Sequence, residues 1–369
     1  LWLSKKPNNR KALRWVRDTA GKVQCETLEV SYANGKTLTV RRPLLEIFTP
    51  AKERDVEGGT VARGSATCPV TGYTTPVASV RKQMKERKGG ANDARMFCVV
   101  TTKPGQQGRF YRLPVASDVQ ACARASQELE QRRREHRGVL SLVPDEPTPD
   151  TKSHRAVASV QLYGMEQFGD LFTKRQLLAI TTLVRLSRKA GDEIRKGDDA
   201  GLAEAVVAGI AAAINTQADS NSSLCAWRPT SLDIGHTFGR QAIPMLWDFV
   251  EGNIFSGASR DWMNAIKGVL KAYQGMDGSP DPGHTQLASA DAHPLPDDTA
   301  QCFLTDPPYY DAVPYSDLSD FFYVWFKRTL GDQLPELFSD RLTNKTKQAV
   351  VNHPNRAEEK VDFESKMGK

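Results

Sequence analysis

The residues whose types and spacing could do chemistry are four in succession, Asp306-Pro307-Pro308-Tyr309. The carboxylate of Asp306 can accept a hydrogen bond from an exocyclic amine and orient the lone pair of its nitrogen. Two successive prolines fix φ and remove two backbone donors, so the carbonyls beside them can point at the same amine. The ring of Tyr309 offers a flat face for a base taken out of its stack. A simple turn is the alternative, because Pro-Pro after a strand is common in turns.

The elements around these four residues predict where they lie. The apolar run Cys302-Phe303-Leu304-Thr305 predicts a buried strand directly before them. Strands predicted over 286–291 and 300–305, followed by a helix over 316–329, are typical of a parallel α/β sheet. Ligands of such sheets bind beyond the carboxyl ends of the strands, where Asp291 and Asp306 would both lie. An ordinary polar turn is the alternative interpretation of Asp291.

The sequence here resembles a known family. An acid-Pro-Pro-aromatic tetrad at a strand end is similar to the catalytic loop of amino-group methyltransferases. The run 310–325 that follows resembles the prokaryotic adenine-specific DNA methylases that carry a zinc-ribbon insertion, and segments 2–6, 170–178 and 238–248 are also similar to that family. The resemblance implies a site-specific, S-adenosyl-L-methionine-dependent transfer of a methyl group to N6 of a flipped adenine in DNA, with four catalytic residues, Asp306, Pro307, Pro308 and Tyr309.

The resemblance also implies a fold and further contacts. It implies a partial Rossmann-like, doubly wound α/β methyltransferase domain with a β-rich and a helical insertion. Asp291 would contact the adenine of the cofactor, and Tyr310 would line the base pocket or the strand channel. The family's glycine-rich cofactor loop is missing, so we expect a fragment that lacks the upstream part of the catalytic domain. A cytosine-N4 or RNA amino-methyltransferase, and a non-catalytic DNA-binding fragment, are the alternatives.

The cysteines bear on metal binding. The stretch Cys68-Pro69-Val70-Thr71-Gly72 has the frame of a zinc knuckle, but Thr71 stands where the second ligand would be. A thiolate binds zinc, whereas a threonine hydroxyl is a poor ligand. The six cysteines stand singly, without a CxxC pair. We therefore expect no zinc in this chain and a ribbon-like β subdomain that keeps its turn. Scattered cysteines also fit a reducing cytoplasm, where we expect the protein to be.

The charge is distributed unevenly along the chain. Residues 1–115 contain 22 Lys and Arg against 9 Asp and Glu, a net charge of +13, whereas the rest of the chain is at −7. This basic region is predicted to contact DNA phosphates; a solvated surface is the alternative. Its run 81–90 is either a mobile basic loop or a helix end followed by a glycine stop. The candidate DNA contacts there are Lys82, Lys85, Arg87 and Lys88.

Four regions are predicted along the 369 residues. Residues 1–115 form a basic, β-rich, degenerate zinc-ribbon-like region with two hairpins, one at Asn34-Gly35. Residues 116–154 form a polar helix and a proline-rich connector, and 155–275 a helical region in which Thr173 caps an amphipathic helix over 174–190. Residues 276–369 form the methyltransferase segment. No apolar stretch approaches about 18 residues, which predicts no membrane span. No targeting signal is evident at the beginning of the sequence.

Overall fold

The computed structural model describes residues 1–32, 34–150, 159–197, 199–258, 260–276, 283, 285–288, 294–306, 313–345, 361 and 364–365. Helices and strands are mixed in this part of the chain. Most strands precede residue 113, and the long helices follow residue 115.

Short strands make up most of the first region. They are β1 (Trp2–Ser4), β2 (Lys11–Trp15), β3 (Cys25–Ser31), β4 (Thr37–Pro43), β5 (Leu45–Phe48), β6 (Val61–Ala62), β7 (Ser65–Thr67), β8 (Thr74–Thr75), β9 (Val99–Lys103) and β10 (Gln106–Arg112). They form small antiparallel sheets in the orders β1-β2-β5, β3-β4, β6-β7-β8 and β9-β10.

Both predicted hairpins are confirmed. In the first, β3 pairs with β4 so that Leu28 lies opposite Val40, and the connecting turn holds Gly35 at φ +81°. An L side chain rarely adopts that conformation, which explains the glycine after Asn34. In the second, β9 pairs with β10 around Gly105, which also has a positive φ.

The basic run 81–90 is a helix end, which decides between its two interpretations. Helix α1 (Val77–Glu86) buries Val80 and Met84 beside Tyr163. The helix stops at Arg87, and Lys88 follows with φ +51° before two glycines. The run is therefore not a loop, although its lysine side chains are exposed.

The predicted helices of the later regions are confirmed. They are α2 (Ala116–Glu135), α3 (Lys174–Arg195), α4 (Ala200–Ser220), α5 (Trp262–Met276) and α6 (Tyr315–Leu330), with a short α7 (Pro335–Phe338) and a two-stranded sheet of β11 (Trp227–Arg228) and β12 (Asp233–Ile234). Thr173 caps α3 as predicted, because its Oγ1 accepts the Gln176 N–H at 3.3 Å and Gln176 Oε1 accepts the Thr173 N–H at 2.8 Å.

The main hydrophobic core forms around α6. Phe321 and Trp325 are fully buried, and both lie against Phe172, at ring-centroid distances of 5.7 and 5.5 Å. Phe238 contacts Phe321 edge-on at 5.2 Å. The burial of Phe321 and Trp325 makes them core residues rather than residues that could stack on a base.

The proline-rich connector packs against this core. Glu146 is only 2% exposed, and its Oε1 lies 2.9 Å from Arg328 Nη1 on α6. The Arg328 guanidinium also donates to the Ser141 carbonyl at 2.9 Å. The composition of the connector indicated a boundary, but its side chains are part of the packing of the helical region.

The prediction of two strands before Asp306 is wrong for those of their residues that the structure describes. Residues 286–288 and 300–306 have no regular structure and are exposed, with Phe303 at 67% and Leu304 at 89%. Residues 289–291 lie outside the described part. Every strand pair that the structure describes is antiparallel. A strand needs backbone partners on a neighbouring strand, and no described residue supplies them here.

Helix α4 corrects the expectation that no apolar stretch of the chain approaches about 18 residues. Its 21 residues are long and apolar enough to cross a membrane by length and composition. The helix packs against α3, α5 and α6, and Val207 and Ile214 are buried in those contacts. A core helix passes the same test of length and composition, and these contacts are those of a core helix. The absence of a membrane span stays a prediction.

The buried ion pair of α6 gives a stability prediction. Arg328→Met is expected to lower the free energy of unfolding by about 3–5 kcal/mol, because the Glu146 carboxylate would stay buried without its partner. Denaturation by urea, followed by circular dichroism, measures the change.

Arg42→Met is the matched control. Arg42 pairs with Glu26 at 2.8 Å, but both side chains are more than a third exposed. Such a surface pair contributes about 1 kcal/mol or less. Equal decreases in the two variants would contradict the role assigned to Arg328.

Candidate nucleic-acid interface and the segment around Asp306

Asp306 ends a described segment, 294–306, and its side chain is exposed. The chain is described again at the buried residue Val313, whose carbonyl accepts the Tyr315 N–H at 3.0 Å where α6 begins. The other predicted residues of this site, Pro307, Pro308, Tyr309, Tyr310 and Asp291, lie outside the described residues. The structure therefore places the carboxylate-bearing residue and the helix that follows the tetrad.

The first turns of α6 are tied to a later segment by Asp320, which is 1% exposed. Its Oδ1 accepts the N–H and the hydroxyl of Thr343, at 2.9 and 2.6 Å, and its Oδ2 lies 2.6 Å from Lys345 Nζ. Lys345 Nζ is also 3.8 Å from Asp317 Oδ1. These contacts fix the beginning of α6, the helix that follows the tetrad in the sequence.

The described residues give no cofactor geometry around Asp306. Two surface cavities have volumes of about 330 and 450 Å³; the first lies beside Pro7 and Thr49, and the second beside Arg188 and Thr329. Asp306 lines neither of them. In the same part of the chain, no group of three or more His, Cys, Asp and Glu side chains could hold a metal ion. We therefore assign no cofactor or metal ligand on geometry.

Three of the four DNA contacts predicted in the run 81–90 have the same environment. Lys82, Lys85 and Lys88 are exposed, and no described carboxylate lies within 4 Å of their amino groups. Residues three apart on a helix are neighbours on its surface, so Lys82 and Lys85 lie side by side. Lys88 lies two residues beyond Glu86, the last residue of the helix. None of the three forms an ion pair within 4 Å, although Lys88 is close enough to Asp170 to act on it electrostatically. We call these three residues the α1 lysine group.

Arg87 has a different environment. It is half-buried, lies 3.1 Å from Asp93 in an ion pair, and stacks on the ring of Tyr32 at 4.9 Å. The Asn34 amide donates to the Glu86 carbonyl at 2.7 Å. Arg87 therefore helps to hold the β3-β4 hairpin against the end of α1. The Asn-Gly signal predicted this hairpin, but nothing local in the sequence indicated that its turn would contact α1.

The zinc-knuckle frame keeps its turn through hydrogen bonds. The Cys68 N–H donates to the Tyr73 carbonyl, and the Gly72 N–H donates to the Cys68 carbonyl, both at 2.9 Å. Gly72 has φ +73°, a conformation that favours glycine. Thr71, in place of a second thiolate, donates its hydroxyl to the Cys68 sulfur, and this hydrogen bond lowers the pKa of the Cys68 thiol.

Comparisons with known proteins identify no relative of this chain. No protein family model, no curated protein and no solved structure matches the chain. Any assignment of function therefore depends on the residues and contacts of the chain itself.

The Cys68 environment predicts selective alkylation. At about pH 7 Cys68 should react with iodoacetamide faster than Cys98, because hydrogen bonds lower the pKa of Cys68 whereas burial raises the pKa of Cys98 to about 11. Mass spectrometry of the labelled peptides measures both rates. Thr71→Val should raise the pKa of Cys68 and slow its reaction near neutral pH, with the rates converging at alkaline pH. An unchanged rate in Thr71→Val would contradict the hydrogen-bond account.

Proposed function

We propose that this chain is part of a site-specific DNA methyltransferase that transfers a methyl group from S-adenosyl-L-methionine to N6 of a flipped adenine. The tetrad Asp306-Pro307-Pro308-Tyr309 is the observation that carries the proposal. The exposure of Asp306 supports it, because a base brought to the loop can reach an exposed carboxylate. A doubly wound methyltransferase sheet and a cytoplasmic location belong to the same proposal.

Each residue of the tetrad has a defined role in the proposed reaction. Asp306 and the carbonyl of Pro307 accept hydrogen bonds from the amine of adenine and fix its direction. Pro308 keeps the backbone in one conformation, and Tyr309 stacks on the base. No strong base is required, because the amine proton can leave after the attack. We derive no step through the cofactor, since the described residues give no geometry for it.

The fixed start of α6 supports this arrangement. The contacts of Asp320 with Thr343 and Lys345 hold the helix that begins a few residues after Tyr309. A fixed element directly after the tetrad helps to orient a substrate, because small displacements of a reacting group cost much of the rate. The buried aromatic face of α6 supplies the rest of that rigidity.

The α1 lysine group is proposed to contact DNA phosphates. Such contacts contribute affinity without reading sequence, and they suit three exposed amino groups that have no described carboxylate within 4 Å. Arg87 is excluded from this role, because Asp93 and Tyr32 already engage its guanidinium. The basic region would then hold the duplex while the tetrad acts on one base.

A non-catalytic DNA-binding protein is the second candidate. The exposed, irregular course of 286–288 and 300–306 favours it, because the strands expected before a catalytic loop are not formed there. This candidate shares the α1 lysine group with the first and differs only in the absence of methyl transfer.

Methyl transfer by the protein separates the two candidates. The protein from the complete reading frame that encodes this chain is incubated with S-adenosyl-L-methionine and DNA, and the nucleosides are identified by mass spectrometry. We expect N6-methyladenine, and a rate that falls on the order of 100-fold or more in Asp306→Ala. Asp297→Ala, which removes another exposed carboxylate, should keep the rate.

The nucleoside that forms decides the outcome. N4-methylcytosine, or a product in RNA alone, would change the acceptor in the proposal. Unmodified DNA with intact DNA binding would favour the non-catalytic candidate.

The α1 lysine group gives a separate prediction about DNA affinity. Replacing Lys82, Lys85 and Lys88 by Gln should weaken duplex binding and reduce the slope of log K against log salt by about 0.9 for each phosphate that the variant no longer neutralises. Fluorescence anisotropy at several salt concentrations measures both quantities.

A control variant changes the same charge elsewhere. Lys189, Lys267 and Lys271 are exposed on α3 and α5, and their replacement by Gln should leave the slope unchanged. An equal decrease of the slope in both triple variants would show a general effect of net charge and contradict phosphate binding at α1.

A further inference from the structure

The knuckle turn between β7 and β8 is held firmly without a metal. The Tyr73 carbonyl accepts the Cys68 N–H at 2.9 Å, and the Tyr73 N–H donates to Thr71 Oγ1 at 3.3 Å. Just beyond the turn, the hydroxyls of Thr67 and Thr74 are 2.9 Å apart across the two strands. Both backbone polar groups of Tyr73 are therefore bonded, and its backbone is fixed.

The side chain of this fixed residue points into solvent. Tyr73 is 68% exposed, whereas Tyr163 is buried and Tyr32 lies under Arg87. In the described part of the chain no aromatic ring or cation packs on Tyr73. An exposed aromatic ring on a fixed backbone offers a planar face on which another planar group can stack.

The surroundings of Tyr73 carry positive charge. Arg41 on β4 is exposed and close enough to act electrostatically on Cys68, at the start of the same turn. Arg63 is exposed in the turn between β6 and β7, and β7 leads directly to Cys68, where the knuckle turn begins. Neither guanidinium has a described carboxylate within 4 Å. The ring therefore lies in a cationic part of a region whose net charge is +13.

We propose that Tyr73 stacks on an unpaired base of single-stranded DNA, with Arg41 and Arg63 contacting the phosphates of that strand. Aromatic side chains among cations bind single strands in this way, because every base has a π-face and every nucleotide a phosphate. In a duplex the base faces are covered by their neighbours, so the ring would gain little from paired DNA. The proposal rests on the proposed function, because flipping a base disturbs a duplex and exposes single-stranded bases.

Binding of oligonucleotides to the full chain tests the proposal. Fluorescence anisotropy compares a labelled single-stranded DNA with a duplex and with single-stranded RNA of the same sequence. We expect Tyr73→Leu to raise the Kd for single-stranded DNA at least about fivefold, since the stacking interaction is removed, and to leave duplex binding unchanged. Tyr73→Phe should bind as the natural chain does, because a planar ring remains.

A control and a mapping experiment complete the test. Phe255 is another exposed aromatic residue, in the helical region, and Phe255→Leu should leave every Kd unchanged. Single-stranded DNA that contains 5-iodouracil should cross-link to Tyr73 under ultraviolet light, and mass spectrometry locates the cross-linked residue. Circular dichroism confirms that each variant is folded.

The outcomes separate this proposal from the proposed function. An unchanged Kd in Tyr73→Leu, cross-links only at other residues, or tighter Tyr73-dependent binding of the RNA would overturn the assignment to single-stranded DNA. If binding depends on Tyr73 while no methylated base forms, the proposed methyl transfer is wrong and the stacking site is supported. If adenine is methylated while binding ignores Tyr73, only the stacking site is wrong.

Discussion

The burial of one face of α6 is the interaction on which the rest of the structure depends. Phe321 and Trp325 fill the core against Phe172, and in the last turn of the same helix the guanidinium of Arg328 compensates the buried carboxylate of Glu146. The helix thus joins the hydrophobic core to the connector from the first region. A buried carboxylate is tolerated only when it is paired. The ion pair with Arg328 therefore holds the connector, which carries Glu146, against α6.

This arrangement separates rigid from accessible parts of the molecule. The helical region buries its aromatic and ionic contacts, whereas the first region, built of short antiparallel sheets, exposes lysines and the aromatic ring of Tyr73. In the proposed enzyme these parts have different tasks. Phosphate contacts position a protein on DNA without specifying sequence, and a loop beside a rigid helix handles a single base.

The sequence predicted what local rules determine. Thr173 predicted the start of α3, and the Asn34-Gly35 turn predicted the β3-β4 hairpin, because caps and turns depend on nearby residues. The prediction of a strand over 300–305 was wrong. The apolar run around Phe303 favours a strand locally, but a strand forms only if a distant part of the chain pairs with it. Contacts over long separations, such as Arg328 with Glu146 or Asn34 with Glu86, leave no local pattern. The neighbours of Asp306 in the sequence identified it as a candidate site residue. They could not predict which residues surround it in the fold.

The most direct measurement of the central claim is the methylation pattern of a genome. Single-molecule sequencing would compare cells that carry the complete reading frame with cells in which it is deleted, and with cells that carry Asp306→Ala. The account predicts N6-methyladenine at one defined sequence in the first cells only. The same pattern of modified bases in all three would contradict it.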